Sequence, residues 1–279
     1  MEIKFQKVSF SYNRQENLIM DDISLKILDN RVTGIIGANG SGKTTLLKLI
    51  SGEILPNKGK IVINDNILTR KMDYNTILNI KKLNGYLPQN MEETISSYTV
   101  KEEIISYLEE QSIDKRDIEN QISNIFISLG IDLNLLSRQL YLLSDGERRK
   151  IMVASILVRN PEIIILDEPT VGLDNNGKKK LINYLTKLKK LQNKTIIISS
   201  NDIDFINKIS DDVIVLEKGK VIKSEKKSEI FRDVKFFDAH CIAVPQIIKF
   251  EDIVLQEKGI LLGYRDDVND LVKDILRKC

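Results

Sequence analysis

RVTGIIGANGSGKTTLLKLIS, residues 31–51, holds three signals in a row. RVTGII is an apolar run of strand length, GANGSGKT from Gly37 to Thr44 fills the pattern G-x-x-x-x-G-K-[ST], and TTLLKLIS has the spacing of a helix. The residue types suit a polyphosphate. Glycines at 37, 40 and 42 let backbone N–H groups converge without a Cβ in the way. The helix that follows offers its unpaired N–H groups and the positive end of its dipole. Lys43 adds a point charge, and the Thr44 hydroxyl suits Mg²⁺. Gly37, Ala38, Asn39, Gly40, Ser41, Gly42, Lys43, Thr44 and Thr45 are therefore the candidate nucleotide-binding residues. A glycine-rich turn without a ligand is the plainer alternative, and the strand before and helix after argue against it.

A second signal lies downstream. IIILDE, residues 163–168, is an unbroken apolar run that ends in two acids. A strand without alternation fits a parallel sheet covered on both faces. Its carboxyl end opens on the crevice where ligands bind in such sheets. Asp167 is the natural partner for Mg²⁺, and Glu168 the candidate general base toward a water attacking a γ-phosphate. Taken alone, two acids could simply end a strand at the surface.

Composition narrows the classes. The 279 residues are 42% hydrophobic and 29% charged, as expected for a folded globular chain. Lys and Arg number 42 against 40 Asp and Glu, so no nucleic-acid partner is expected. Cys241 and Cys279 lie far apart without a zinc or disulfide pattern, and a reducing cytosol is the default. No apolar run reaches the ~18–20 residues of a membrane-spanning helix.

Along the chain, IKFQKVSFSY, ISLKIL and GKIVIND read as strands on either side of the glycine loop. From about 95 to 155, TVKEEIISYLEE, DIENQISNIFISLG and DGERRKIMVASILVRN carry apolar residues at helical spacing, so a helical insert is expected. GKKKLINYLTKLKKLQN is a helix with a solvated lysine face, KTIIISS a buried strand, and DVIVLEKGKVI two short strands about Lys218-Gly219. From SEKKSEIFRDVK the chain becomes charged, the start of a small appended region.

With these pieces in order, the chain resembles the ATP-binding-cassette ATPases. LSDGE at 143–147 sits where that family carries its signature, Gln89 in YLPQN at its Q-loop, VGLD ending at Asp174 at its D-loop, and Tyr12 in SFSYN at the position whose ring stacks on adenine. The match runs from about residue 2 to 223. It implies an α/β phosphate-loop NTPase core with a mixed, largely parallel sheet and N-terminal antiparallel strands. A helical signature subdomain at about 95–155 would complete residues 1–223, and residues 224–279 would form the C-terminal extension. Ser144, Asp145, Gly146 and Glu147 also fit S-x-x-E, a capping box opening the next helix. In the family that helix tip faces the partner subunit's nucleotide, so two chains sandwich two ATPs. The resemblance further implies Gln89 as a Mg²⁺ ligand linked to a membrane partner, with Thr44 and Asp167 completing the metal set.

QNMEETISSYTVKEEIISYL and the tail pieces VPQ and KGI are similar to the energy-coupling-factor branch. Its members import vitamins or transition-metal ions with two ATPase subunits, a membrane-embedded coupling protein and a separate substrate-binding membrane protein. The implied place is the cytoplasmic face of the membrane. The partner ATPase is expected to be non-identical, with a homodimer as the alternative.

Two positions depart from the family. Asn201 stands where the family has its switch histidine, and the single histidine, His240, lies in the tail. Asn201 donates an amide hydrogen bond but carries no positive charge. A neutral bond is worth ~0.5–1.5 kcal/mol against ~1.5–3 for a charged one, so a rate cost of about tenfold is expected. Asp145 and Glu147 replace the usual Gly and Gln, and a carboxylate ~6 Å from a phosphate charge costs at most roughly 3 kcal/mol at a dielectric of about 20, and far less where it points to solvent. Asn201 belongs with this chain's own phosphate loop and the signature with the partner's nucleotide, so an unequal pair is expected, with the slower site on this chain's Lys43 and Glu168. The rival reading is a nucleotide-gated clamp that hardly hydrolyses, and a third is the ATPase of another ABC transporter type.

Overall fold

The computed structural model describes residues 2–13, 17–93, 95, 97–106, 108, 115–240 and 242–278. Cys241, Cys279 and the end of TVKEEIISYLEE lie outside them. The N-terminal elements are β1 (Glu2–Phe10), β2 (Met20–Leu28), β3 (Val32–Ile36), α1 (Lys43–Ser51), β4 (Lys58–Ile63) and β5 (Asn66–Leu68). Next come α2 (Tyr74–Leu83), β6 (Asn84–Leu87), α3 (Val100–Ser106), α4 (Lys115–Leu129) and α5 (Asp145–Val158). The second half of the core holds β7 (Ile163–Asp167), α6 (Asn175–Gln192), β8 (Thr195–Ser199), α7 (Ile203–Ile209), β9 (Asp212–Glu217) and β10 (Lys220–Lys226). The chain closes with α8 (Lys227–Ile230), α9 (Val234–Ala239), α10 (Gln246–Lys258) and α11 (Val268–Lys278).

Two sheets form. One is antiparallel, in the order β2-β1-β4-β5; the other runs β10-β9-β3-β8-β7-β6 and is parallel except for the β9–β10 pair. The unalternating runs are explained by two-sided burial. Ile163, Ile165 and Ile197 join Ile35, Leu46 and Phe5 in the layer between the sheets. Ile164, Leu166, Ile196 and Ile198 point the other way, into a layer with Phe126 of α4, Met152 of α5 and Leu185 of α6. Each such side chain contributes about 1.5–3 kcal/mol on burial. On α6 only Gly177, Leu181, Leu185 and Leu188 are buried, a single apolar stripe that leaves its lysines toward water. The second layer also takes in Ile230, Phe231, Phe237 and Ile248, so the residues after β10 share the main core.

This layering puts the carboxyl ends of β3, β7 and β8 side by side. β3 delivers the glycine loop, β7 the two acids and β8 the loop of Asn201, all at one end of the sheet.

Candidate functional site

The loop after β3 bends at Gly37, whose φ is 152° and where a Cβ would lie 2.2 Å from the Leu216 carbonyl oxygen. Only glycine fits there. Gly40, at φ 78°, has open space where a Cβ would stand, so the loop leaves room on the cleft side. Gly42 caps α1 with no side-chain cap bond, an arrangement in which the first-turn N–H groups suit an anion. The Lys43 ammonium lies across the loop. It donates to Gly37 O at 2.8 Å, Ala38 O at 3.3 Å and Asn201 Oδ1 at 3.1 Å. Burial pulls its pKa below the usual range, with Glu168 and Asp167 pulling back.

Asp167 ends β7 and is 1% exposed. Ser199 Oγ donates to its Oδ1, while Oδ2 is buried with no hydrogen-bond partner among the described residues. Asp167 shares the wall of one cleft with Thr44 and Gln89, and a carboxylate, a hydroxyl and an amide oxygen are hard donors of the kind Mg²⁺ takes, with phosphate oxygens filling the rest. Among the described residues no group of three or more His, Cys, Asp or Glu could hold a metal, so a resident protein-only cage is not formed. The residues fit a Mg²⁺ that arrives with its nucleotide.

Glu168 adopts φ 50°, left-handed and costly for a non-glycine residue at roughly 1–3 kcal/mol. Its N–H donates to Ser199 O at 3.1 Å. Its Oε1 accepts from Asn201 N at 2.8 Å and its Oε2 from Ser200 Oγ at 3.2 Å. Burial pushes the carboxyl above the usual Glu range; the Asn201 N–H and Lys43 hold the shift back. A carboxylate moved upward is a better base toward water near neutral pH.

A cleft of about 420 Å³ gathers Asn39, Gly40, Gly42, Lys43, Thr44, Thr45, Gln89, Asp167, Glu168 and Asn201 on its walls, together with Ile19. The Asn201 amide also donates to Asn39 Oδ1 at 3.3 Å, tying the switch position to the loop. Tyr12 sits beside this group. Its hydroxyl is 3.4 Å from Thr45 Oγ1, its ring packs edge-on against Phe10 at 5.0 Å, and about half of it is exposed, which leaves a face open for a base.

The signature residues lie elsewhere, off the cleft wall. Ser144 and Glu147 form a reciprocal capping box on α5: Ser144 Oγ accepts from Glu147 N at 3.3 Å, and Glu147 Oε2 accepts from Ser144 N at 3.0 Å. The Ser144 hydroxyl, which donates to the same Oε2 at 2.7 Å, holds the Glu147 carboxyl below the usual range, with the Ser144 N–H adding to the effect. Asp145 is exposed. A Cβ on Gly146 would lie 2.4 Å from Gly172 O, so the signature turn and the D-loop touch within one chain. Asp174 caps α6 by accepting from Gly177 N at 2.7 Å. His240 is far from this group in role, bonded to Glu217 at 3.2 Å and tilted on Phe236.

Sequence reading missed Arg149. From inside α5 its guanidinium, 4% exposed, donates to Pro88 O at 3.3 Å and Gln89 O at 3.0 Å. It locks the Q-loop backbone to the signature helix. The only sign in the sequence is a charged residue at a buried phase of α5, within the basic run ERRK.

The family model "ABC transporter" matches residues 20–171. The energy-coupling factor transporter ATP-binding protein EcfA2 of Enterococcus faecalis is 30% identical over 279 residues, covering 99% of this chain and 95% of that protein. The protein of the same name from Streptococcus sanguinis is also 30% identical, over 99% of each chain. Among solved structures, cbiO1 of Clostridium perfringens, described as part of the ABC transporter complex cbiONQ, has a TM-score of 0.72 and 25% identity over 90% of this chain and 98% of that one. A dimeric bacterial ABC transporter cassette has a TM-score of 0.73 and 25% identity over 81% and 98%.

Proposed function

This chain belongs to the ABC transporter family, and from that premise we propose that it binds and hydrolyses MgATP to drive a membrane importer of the energy-coupling-factor type, as one half of a nucleotide-sandwich dimer. One observation carries the ATPase reading: phosphate loop, Mg²⁺-ready aspartate, strained glutamate and switch asparagine all converge on one cleft. The loop N–H groups and the Lys43 ammonium hold the β- and γ-phosphates. Thr44, Asp167 and Gln89 would hold Mg²⁺, which neutralises charge on the phosphate oxygens when bound. Glu168 accepts a proton from the attacking water as the bond from its oxygen to the γ-phosphorus forms and the bond to the β-phosphate oxygen breaks. Asn201, already bonded to Lys43 and to the Glu168 carboxylate through its N–H, donates its amide to the γ-phosphate.

The dimer reading rests on one phosphate loop and one signature per chain, the latter with its serine-led helix tip exposed and off the chain's own cleft. The importer reading rests on the relatives' names. Among the described residues no helix is long and apolar enough to cross a membrane. On this reading the chain works at the cytoplasmic face, beside a membrane-embedded coupling protein, and cargo is chosen by a further membrane protein that takes a vitamin or a transition-metal ion. Exposed Tyr98 and Tyr141, with ring centroids 5.9 Å apart, and exposed Leu142 form an apolar spot on the helical region suited to the membrane partner. The neutral Asn201 favours a slower site here than in a non-identical partner ATPase. It also favours the second reading, a clamp that closes on ATP with little turnover.

The test is ATP hydrolysis by the full chain with its partner ATPase, wild type against Glu168→Gln. The glutamine keeps an oxygen for the Asn201 N–H and loses the base. Turnover should fall by about 10²–10⁴ with ATP binding kept. A wild type that binds MgATP without turning it over supports the clamp instead.

A further inference from the structure

The residues after β10 grip the helix that follows the switch position. α7 starts two residues after Asn201, and its N-cap, Asp202, accepts from Phe205 N at 2.9 Å and pairs with Lys178 at 2.5 Å. Among the described residues, three further bonds reach α7 from the extension. Gln246 N, opening α10, donates to Asp204 Oδ1 at 3.0 Å. Lys227 Nζ donates to Asn207 O at 2.9 Å and pairs with Asp266. Tyr264 donates its hydroxyl to Asn207 Oδ1. Asn207 is 1% exposed, a buried amide that neither the phosphate loop nor the signature uses.

Tyr264 is held to this task from its own side. The Arg232 guanidinium lies 5.9 Å from its ring, and Arg265 N donates to Glu251 Oε1 at 3.1 Å, fixing the next residue. Burial raises the Tyr264 hydroxyl pKa above its usual value, so it stays protonated and remains a donor. At the other end of α7, Asn201 touches Lys43, Asn39 and Glu168. A seven-residue helix therefore has one end in the γ-phosphate region and its buried polar face tied to the tail.

We propose that Tyr264 and Asn207 are positioning residues for the γ-phosphate contact: the C-terminal extension sets the place of Asn201 by holding α7. The proposal rests on the ATP-site reading above and adds to it a role for the extension. Tyr264→Phe removes one oxygen, keeps the ring and leaves the phosphate loop untouched. ADP stops short of Asn201, whereas ATP reaches it, so the change should appear as lost discrimination between the two nucleotides.

The experiment titrates the full chain with MgADP and MgATP, in a Glu168→Gln background that prevents turnover. Tyr264→Phe should leave ADP affinity within twofold and lower the preference for ATP about threefold or more. In an Asn201→Ala background the same Tyr264→Phe change should have no further effect on that preference, because its route to the phosphate is gone, while any loss of thermal stability persists. Asn207→Ala should match Tyr264→Phe, and the double variant should be no worse than either. An unchanged ATP preference in Tyr264→Phe, or an equal loss with and without Asn201, overturns the inference while leaving ATP binding intact. A parent chain that binds neither nucleotide overturns the ATP-site reading and this inference together.

Discussion

Replacing Asn201 by histidine tests how the site handles charge. Asn201 Oδ1 accepts from Lys43 Nζ at 3.1 Å. An imidazolium there would face the ammonium at ~4 Å, a repulsion of about 4 kcal/mol at an effective dielectric of 20. That is worth ~3 pH units, enough to keep the imidazole neutral at pH 7 before nucleotide arrives. A triphosphate between the two cations reverses the sign, and the ring takes up a proton as ATP binds. The gain is the difference between a charged and a neutral donor, about 1.4 kcal/mol, or tenfold in turnover. Asn201→His should thus raise kcat about tenfold near pH 6.5. The advantage over wild type should shrink as pH rises and the ring loses its proton. Wild type carries no such ring: its own profile should rise with pH through the Glu168 carboxyl, which burial has moved upward. The assay is steady-state phosphate release from pH 5.5 to 9 for both proteins. A variant-to-wild-type ratio that is flat with pH, or below one throughout, would refute this reasoning.

Other outcomes follow from single contacts. Ser144→Ala removes the oxygen that caps α5 and should cost about 1 kcal/mol, read as a Tm lower by about 2–4 °C, with turnover of the assembled pair reduced as well. Arg149→Met leaves the Pro88 and Gln89 carbonyls without a donor inside the fold, so about 1–3 kcal/mol of stability should be lost, and chemical denaturation measures it. Chelation with EDTA should abolish hydrolysis yet leave the Tm of the nucleotide-free chain unmoved, since no metal cage forms among the described residues; a drop in Tm would point to a resident ion.

The sequence and the structure agree most closely where one residue type has one use. GANGSGKT between an apolar strand and a helix specified the loop and its neighbours, because Gly37 and Lys43 answer constraints local to that loop. IIILDE read as a two-face strand because β7 is covered on both sides. The segment from 74 to 87 carries no clear period in the sequence. α2 has one buried residue, Ile80, so its periodicity is faint. β6 is a four-residue strand built on Asn84-Gly85, a pair that reads as a turn. Its glycine answers to tertiary packing instead, since a Cβ there would lie 2.5 Å from Ile156 on α5. Arg149 and the Tyr264–Asn207 bond were hidden for a related reason. Each links residues 57 or more positions apart, and no local pattern announces such a pair.

A direct trial is calorimetric titration of the chain with ATP and Mg²⁺, wild type beside Lys43→Ala. With the ammonium bridging Gly37, Ala38 and Asn201, wild type should bind at micromolar levels, and the alanine variant should weaken binding at least tenfold while staying folded by circular dichroism. Equal affinity in the two proteins, or no heat of binding from wild type at millimolar MgATP, would contradict the nucleotide cleft itself.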